Sequence, residues 1–198
     1  MCGIAGFTHV AHAFFSEKIN EAVASIIHRG PDDQSTWQSQ SISLGATRLR
    51  VIDPAAGAQP VVSEDKDFVV VFNGEIYNHA ELRRELIARG HRFRTCCDTE
   101  VVLRAFMEWD TACIEKFRGM FAFAAWQESR RRLVLARDRM GIKPLYYARS
   151  GRDIYFGSEI KALFCHPEVH RRIDLNALDT YLAVNYTPGS RTMVEGVN

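Results

Sequence analysis

The sequence predicts one domain of mixed α and β structure, in the α/β or α+β class. Amphipathic helical patterns flank strand-like apolar runs in the first part of the chain, and the later part is a succession of short strand pairs. A length of 198 residues suffices for one domain with a full core, and it is too short for two ordinary domains to be expected. These patterns support the class, but they do not count the layers.

The first part of the chain contains three strand-like runs and one helical pattern. Residues 4–9 are typical of a buried strand, Ile42–Arg48 of a second, and residues 68–73 of a third that is buried on both faces, because four apolar residues are consecutive there. Ser16 can cap the helix between the first two strands, and Gly30-Pro31 ends it. The apolar face of this helix is expected to carry Ile19, Val23, Ile26 and Ile27.

Two more helices are expected next. Gly74 is predicted to break the third strand, Asn78 to cap the following helix and Gly90 to stop it. Asp98 is predicted to open the helix after that. The apolar sides of the two helices are expected to consist of Leu82, Leu86 and Ile87, and of Val101, Val102, Ala105, Phe106 and Trp109.

The remainder of the chain predicts two strand pairs and a last helix. Residues 121–126 are expected to pair with 133–137, and residues 145–148 with 154–157, the second pair turning at Ser150-Gly151-Arg152. A helical stretch follows from Asp174 to about Asn185. The segment 187–190 then has the composition of a linker into a following domain.

Composition and charge exclude several classes of protein. The content of 46% hydrophobic and 25% charged residues is that of a soluble globular protein, and a net charge of +1 gives no electrostatic reason to expect binding to nucleic acid or to an anionic membrane. The longest apolar run is far shorter than a membrane-spanning helix, and the N-terminus lacks the regions of a signal peptide. Five Cys without zinc-ligand spacing indicate reduced thiols. We therefore expect a cytoplasmic protein without a metal site.

Cys2 directly follows Met1, so removal of Met1 makes this thiol the first side chain of the mature protein. An N-terminal Cys combines a nucleophile with an α-amine, a group whose ordinary pKa of about 7.7–8.0 lets it act as a base near neutral pH. Taken alone, Cys2 is better explained as a small apolar residue at the start of a buried strand. The motifs that follow it along the chain favour the catalytic interpretation.

These motifs occur in a fixed order. They are Met1-Cys2-Gly3-Ile4-Ala5-Gly6-Phe7, His28-Arg29-Gly30-Pro31-Asp32, Arg48-Leu49-Arg50-Val51-Ile52-Asp53, Gly57-Ala58-Gln59-Pro60, Phe72-Asn73-Gly74-Glu75-Ile76-Tyr77-Asn78, Asp98-Thr99-Glu100-Val101, Gly119-Met120-Phe121-Ala122-Phe123-Ala124, Arg137-Asp138-Arg139-Met140-Gly141-Ile142-Lys143-Pro144-Leu145-Tyr146-Tyr147 and Ser158-Glu159-Ile160-Lys161-Ala162-Leu163. Together they resemble the glutamine amidotransferase domain of glutamine-hydrolysing asparagine synthetases, a class II (N-terminal nucleophile) amidotransferase. The resemblance covers nearly the whole chain.

The resemblance implies an α+β fold, specifically a four-layer αββα sandwich of the N-terminal nucleophile hydrolase type. It also implies a glutaminase, in which Cys2 attacks the side-chain amide of glutamine and water releases glutamate from the thioester. The oxyanion hole falls on Asn73 and Gly74, a side-chain amide donor beside a backbone N–H.

The same resemblance implies how free glutamine is recognised. Arg48 matches the residue that clamps the α-carboxylate, which a guanidinium can bind bidentately. Asp98 matches the partner of the α-ammonium, and Glu75 helps to order that end. The segment 50–60 resembles a loop that folds over glutamine. Cys97 stands where the family usually has Ser, a change that weakens hydrogen bonding and affects substrate affinity.

Each of these residues also has a simpler explanation when it is considered singly. Arg48 can be a surface cation, Asn73-Gly74 a hairpin turn, Asp98 a helix cap and the segment 29–32 a helix stop. Their joint occurrence with Cys2 favours the amidotransferase site. We expect His28, Arg137-Asp138 and the segment 143–147 to be structural framework.

The resemblance also implies a division of the chain and a partner. Residues 1–173 are expected to form the glutaminase domain, and residues 174–198 a helix and linker toward a C-terminal synthetase domain. Such a domain uses ATP and Mg²⁺ to activate aspartate and carries a Ser-Gly-Gly-x-Asp-Ser loop, whereas no Gly-Gly pair occurs in this sequence. The glutaminase domain itself is expected to need no cofactor, and a homodimer is among the oligomeric states that the sequence leaves open.

Three alternative functions remain at this stage. The parent enzyme can amidate a carboxylate other than aspartate, or the chain can be a non-catalytic domain that binds glutamine. An N-terminal nucleophile amidase for another amide is the third, and the paired Arg48 and Asp98 count against it.

Overall fold

Two antiparallel sheets form the centre of the structure, a computed structural model that describes residues 2–10, 17–50 and 57–198. Its strands are β1 (Gly3–Thr8), β2 (Asp33–Gln38), β3 (Ile42–Arg48), β4 (Val61–Val62), β5 (Phe68–Ile76), β6 (Gly119–Gln127), β7 (Arg132–Arg137), β8 (Tyr146–Ser150) and β9 (Asp153–Gly157). Its helices are α1 (Lys18–Ser25), α2 (His79–Ala88), α3 (Asp98–Trp109), α4 (Cys113–Lys116), α5 (Ile160–Leu163) and α6 (Leu175–Val184), with single 3₁₀ turns at Ile27–Arg29 and Asp110–Ala112.

The first sheet has the strand order β2-β3-β1-β9-β8 and the second the order β4-β5-β6-β7. In the first sheet Gly3 is paired with Thr47 and Ala5 with Gly157, so that the N-terminal strand lies in the middle of the sheet. In the second sheet β5 and β6 pair along their whole length, from Phe68 opposite Gln127 to Ile76 opposite Gly119.

Three apolar clusters show that the elements form four layers. The cluster between the two sheets includes Ile4, Leu44, Val69, Val71 and Trp126. A second cluster packs α1 and α5 on the outer face of the first sheet, and a third packs α2 and α3 on the outer face of the second. The order helix, sheet, sheet, helix confirms the predicted αββα sandwich.

The alternation of side chains along β5 explains the apolar run of the third predicted strand. Val69 and Val71 face the other sheet, whereas Val70 and Phe72 face the helices. Because successive side chains of a strand point to opposite faces, a strand between two apolar layers must be apolar at every position. The prediction of a strand buried on both faces is therefore confirmed.

The prediction that Gly74 breaks this strand is wrong. The strand β5 continues through Gly74 to Ile76, and Gly74 is paired with Phe121 of β6. A Cβ atom on Gly74 would lie 2.2 Å from the carbonyl oxygen of Met120. The residue is therefore glycine because the neighbouring strand approaches closely, and not because the chain turns there.

Two of the predicted apolar helix faces are wrong at one residue each. Ile27 and Ile87 are 41% and 53% exposed, while the other residues predicted for their helices are buried. Ile27 lies in the 3₁₀ turn after α1, where the helical periodicity no longer applies. Ile87 follows the buried Leu86, and because successive residues of an α-helix are about 100° apart, it is turned away from the face that carries Leu82 and Leu86.

The predicted helix ends have mixed outcomes. Gly90 has a φ of +97° after α2, as expected of a helix stop, and α3 begins at Asp98 as predicted. The Asn78 side chain does not cap α2, because its amide bonds the main chain of Lys116 and Arg118 instead. The predicted cap at Ser16 lies outside the described residues.

The β-rich part of the chain agrees with its prediction. The strands β6 and β7 form a hairpin from Trp126 opposite Leu133 to Ala122 opposite Arg137, and β8 and β9 form one from Tyr146 opposite Gly157 to Ser150 opposite Asp153. The edge strands β2 and β4 were not predicted. The sequence of β2 is polar and only half-buried, so it lacks the apolar alternation by which a strand is recognised.

The C-terminal segment returns to the first sheet. The side chain of Asp174 caps α6 by accepting hydrogen bonds from the N–H groups of Asn176 and Ala177. After α6, Val194 bridges Ile173, and Tyr147 of β8 exchanges two main-chain hydrogen bonds of 2.8 Å with Asn198. The division of the chain at residue 173 stays a prediction. No helix within the described ranges has the length and apolar character that crossing a membrane requires.

Candidate functional site

A cavity of about 150 Å³ lies where β1, β3, β5 and the start of α3 meet. All six residues predicted for the site line it: Cys2, Arg48, Asn73, Gly74, Glu75 and Asp98. The pairing of Gly3 with Thr47 places Cys2, just before β1, beside Arg48, the last residue of β3. The fold therefore brings together residues that are separated by up to 96 positions in the chain.

The thiol of Cys2 is half-buried, and its Sγ lies 4.0 Å from the carbonyl oxygen of Leu49. Arg29 holds the main chain at this point, because its Nε donates to the Cys2 carbonyl at 3.1 Å while its Nη1 donates to Glu159 at 3.1 Å. Two residues further along the chain from Cys2, Ile4 of β1 exchanges hydrogen bonds with Ser158. The position of Cys2 is thus fixed from both sides.

The amide of Asn73 is the most unusual polar group of the cavity. Its residue is fully buried, and neither Nδ2 nor Oδ1 has a hydrogen-bond partner among the residues that the structure describes. Burying an amide without partners costs about 1–3 kcal/mol. Buried polar groups are nearly always satisfied, so an amide that lines a cavity in this way points to a ligand that completes its bonding.

Arg48 is a buried cation at the other side of the cavity. Its Nη1 lies 3.8 Å from the carboxylate of Asp33, and its Nη2 lies 4.0 Å from the Sγ of Cys97. Gly57 packs against the same group, since a Cβ atom there would be 2.1 Å from that sulfur and 3.0 Å from the Arg48 Nη2. A guanidinium in this setting can bind a carboxylate of a small ligand.

Asp98 and Glu75 supply the negative charge of the cavity. Asp98 is 5% exposed, and burial raises the pKa of its carboxyl above the usual range, although a hydrogen bond from the N–H of Ile76 and the charge of His79 act in the opposite direction. The Glu75 carboxylate adds to the rise in the pKa of Asp98. A cationic ligand group between the two carboxylates would compensate their repulsion.

The loop predicted to fold over the substrate is described only in part. Residues 51–56 lie outside the described residues. The described end packs on the cavity, because Gln59 Oε1 accepts a hydrogen bond of 2.7 Å from the N–H of Phe72 and the Gln59 carbonyl accepts one from Ser35. This end of the loop is therefore tied to both sheets.

Sequence reasoning missed Lys143 as a residue of the cavity. The segment from residue 143 was expected to be framework, yet Lys143 is 4% exposed and lines the cavity together with Cys2. Gln59, Thr99 and Met120 line it as well. No local pattern distinguishes Lys143 from the other charged residues of its motif, Arg137, Asp138 and Arg139.

A larger cavity of about 700 Å³ adjoins the first and shares Arg48 and Gly57 with it. Two of its cations already have carboxylate partners. Arg50 forms two hydrogen bonds with Asp33, and Arg104 forms two with Glu64. We therefore place the chemistry in the smaller cavity, where the polar groups converge. In the described part of the chain no cluster of three or more His, Cys, Asp or Glu side chains could hold a metal ion.

Solved structures with a similar fold define the class of the chain. One is the structure of the allosteric regulatory enzyme of purine biosynthesis. The match covers 83% of this chain and 43% of that enzyme's chain, with a TM-score of 0.69 at 19% identity. The glutamine phosphoribosylpyrophosphate amidotransferase of Bacillus subtilis matches 83% of the chain with a TM-score of 0.67, also at 19% identity. With its four layers, the chain has the fold of the N-terminal nucleophile amidotransferases.

The family follows from the sequence comparisons. A family model described as the glutamine amidotransferase domain matches residues 1–198, and the chain belongs to this family. Its relatives include asparagine synthetase [glutamine-hydrolyzing] 3 of Bacillus subtilis, which is 40% identical over 96% of the chain and 32% of the relative. A putative asparagine synthetase [glutamine-hydrolyzing] 2 of Methanocaldococcus jannaschii is 34% identical over 95% of the chain and 40% of the relative. The chain spans about a third of the length of the curated relatives it matches.

Proposed function

We propose that the chain is the glutaminase half of a glutamine-dependent asparagine synthetase, releasing ammonia from the side chain of glutamine. The observation that carries the proposal is the buried amide of Asn73, which lines the same cavity as the Cys2 thiol and has no partner among the described residues. A substrate carbonyl attacked by Cys2 would give this amide the acceptor that it lacks.

The proposed reaction begins with removal of Met1, which frees the α-amine of Cys2. This amine accepts the thiol proton as Sγ attacks the amide carbon of glutamine, and it passes the proton to the departing ammonia. The Nδ2 of Asn73 and the N–H of Gly74 donate to the oxyanion of the tetrahedral intermediate. Water then attacks the thioester, and glutamate leaves while the thiol is restored.

The ends of the cavity account for the choice of glutamine. The Arg48 guanidinium binds the α-carboxylate, and Asp98 with Glu75 binds the α-ammonium. A ligand with both groups places a countercharge at each end of the cavity, whereas a simple amide brings neither charge. A site built to bind both head groups therefore discriminates against ligands that lack them.

The parent protein is proposed to carry a synthetase domain that consumes the ammonia. The relatives are about three times longer than this chain. The helix α6 supports a partner at this end, because Leu175 and Leu182 are each 75% exposed and Ala177 is its buried residue. In this proposal ATP, Mg²⁺ and aspartate belong to that domain, and the whole enzyme acts in the cytoplasm.

Two alternatives differ from this proposal in testable ways. A synthetase that amidates another carboxylate would leave the glutaminase chemistry unchanged. A non-catalytic glutamine-binding domain would bind glutamine without releasing glutamate.

The experiment that tests the proposal compares amides as substrates. The purified chain is incubated with glutamine, with asparagine and with a primary amide that lacks the amino-acid head, and ammonia is measured in each case. The proposal expects turnover of glutamine and less than a hundredth of that rate with the other two. An acid-quenched sample should carry the glutamyl group on the N-terminal peptide. Equal rates with all three amides would contradict the assignment of Arg48 and Asp98, and glutamine binding without ammonia release would favour the regulatory alternative.

A further inference from the structure

The loop after β7 brings a buried cation to the nucleophile. Lys143 is 4% exposed and lines the cavity that also contains Cys2, Asn73 and Gly74. The cavity is small, at about 150 Å³, so the groups that line it are close together. The Lys143 side chain therefore lies within the electrostatic reach of the thiol.

The main chain around Lys143 is held from two sides. The buried carboxylate of Asp138 accepts hydrogen bonds from the N–H groups of Phe121 at 3.2 Å, Ile142 at 2.9 Å and Lys143 at 3.0 Å. Arg137 donates from Nε to the Lys143 carbonyl and from Nη2 to the Gly141 carbonyl, each at 2.6 Å. Arg137 and Asp138, which were expected to be structural, thus hold the main chain that carries Lys143.

The described lining of the cavity contains one cation besides Arg48, and this cation is Lys143. The substrate is a zwitterion whose carboxylate is assigned to Arg48 and whose ammonium is assigned to Asp98 and Glu75. These three residues are thus assigned to the α-carboxylate and α-ammonium of glutamine, and not to its reacting side-chain amide. Lys143 is the remaining cation among the described residues of the lining, and negative charge develops in the reaction only on the sulfur and on the carbonyl oxygen.

We propose that the ammonium of Lys143 stabilises the anionic sulfur of Cys2 and the oxyanion formed from it, which makes Lys143 an electrostatic positioning residue of the reaction. The inference rests on the proposed function for its catalytic part. Its effect on the thiol does not need glutamine, and it can be measured without turnover. A thiolate beside a cation forms at lower pH than an isolated one.

Other charged groups also act on the sulfur, and the test must hold them constant. They are Arg29 with Glu159 behind the Cys2 carbonyl, Arg48 from β3, Glu75 from β5, and Cys97 and Asp98 from α3. On its own loop, the main chain of Lys143 contacts the side chains of Asp138 and Arg137. A variant that changes only Lys143 leaves this set intact.

The test follows the alkylation of Cys2 by iodoacetamide as a function of pH. The N-terminal peptide is quantified by mass spectrometry, because the chain contains four other free cysteines. The variants are Lys143→Met, Lys143→Gln and Lys143→Arg. Arg139→Met is the matched control, since it removes an exposed cation from the same loop. Circular dichroism and thermal melting exclude unfolded preparations.

The inference expects Lys143→Met and Lys143→Gln to raise the midpoint of Cys2 alkylation by about one pH unit and to lower kcat/KM for glutamine about tenfold, the two effects being equivalent in free energy. Lys143→Arg keeps the alkylation midpoint and kcat/KM close to the wild-type values, and Arg139→Met changes neither quantity. A midpoint that is unchanged in both uncharged variants while they remain folded overturns the inference, whether or not the chain hydrolyses glutamine. A shifted midpoint in a chain without glutaminase activity overturns the proposed function instead.

Discussion

The carboxylate of Asp98, the first residue of α3, accepts a hydrogen bond of 3.0 Å from the N–H of Ile76, the last residue of β5. This bond joins the helix that carries the proposed anion for the substrate ammonium to the strand that carries Asn73, Gly74 and Glu75. The proposed contacts to the substrate ammonium and to its reacting amide are therefore linked by a direct hydrogen bond.

Asp98→Asn tests this anion. Asparagine keeps an acceptor for the Ile76 N–H but loses the charge, so KM for glutamine should rise at least tenfold while kcat changes less. Steady-state kinetics at neutral pH measure both. A rise in KM of less than twofold would contradict the assignment of Asp98 to the substrate ammonium.

The pH dependence of glutamine binding follows from the same residue. Burial raises the pKa of Asp98, so the folded state holds its proton at a pH where the unfolded chain has lost it. The contribution of Asp98 to the free energy of unfolding therefore falls as the pH rises from its unfolded pKa through its raised folded pKa. Glutamine affinity falls in the opposite direction, as the pH drops through the raised pKa and the carboxylate takes up a proton. Titration of binding in Cys2→Ala, with and without Asp98→Asn, measures the effect. The acidic loss of affinity should be smaller in the double variant.

Asn73→Ala should separate activity from stability. Removing an oxyanion donor lowers kcat by about 10²–10³. Removing a buried amide that has no partner also removes its desolvation cost, which offsets the small space left behind, so the free energy of unfolding should change by less than about 1 kcal/mol. Kinetics and urea denaturation give the two numbers. A loss of more than about 3 kcal/mol would mean that the amide is bonded in the folded protein.

Arg29→Leu tests the support of the nucleophile. It breaks the hydrogen bond to the Cys2 carbonyl, and we expect kcat to fall at least tenfold with a smaller change in KM. His28→Ala is the matched control, because His28 contacts the same Glu159 at 2.7 Å but its side chain is 53% exposed. An exposed pair of this kind contributes at most about 1 kcal/mol. Equal losses in the two variants would contradict a role of Arg29 at Cys2.

Cys97→Ser tests the departure from the usual family residue. The sulfur of Cys97 lies 4.0 Å from Arg48, and a hydroxyl is a better hydrogen-bonding group than a thiol. We expect KM for glutamine to fall two- to fivefold with kcat unchanged, as measured by initial rates. The exposed neighbour Cys96, changed to Ser, is the control and should leave KM unchanged. An increase in KM would show that the sulfur itself suits the site.

The fold was largely predictable because its central strands are buried on both faces and its helices are amphipathic. The strand Ile42–Arg48 and the hairpin of β6 and β7 follow from these patterns. The polar edge strand β2 does not, since an edge strand with one half-buried face carries little apolar signal. Gly74 was misjudged because the sequence cannot show that Met120 approaches it from another strand.

The site residues were predictable as a set but their geometry was not. Cys2, Arg48 and Asp98 are recognised by the motifs around them. Lys143 enters the cavity only because Asp138 binds the N–H of Phe121 in a neighbouring strand, and such a contact between distant segments leaves no local pattern. The unpartnered amide of Asn73 is likewise a property of the packed structure.

The most direct test of the account is the rate of glutamate release by the wild-type chain and by Cys2→Ala, with the intact mass of each preparation measured first. The account predicts a wild-type mass that lacks Met1, steady formation of glutamate, and no activity in Cys2→Ala despite retained binding of glutamine. Hydrolysis of glutamine by Cys2→Ala at the wild-type rate would contradict the assignment of Cys2 as the nucleophile.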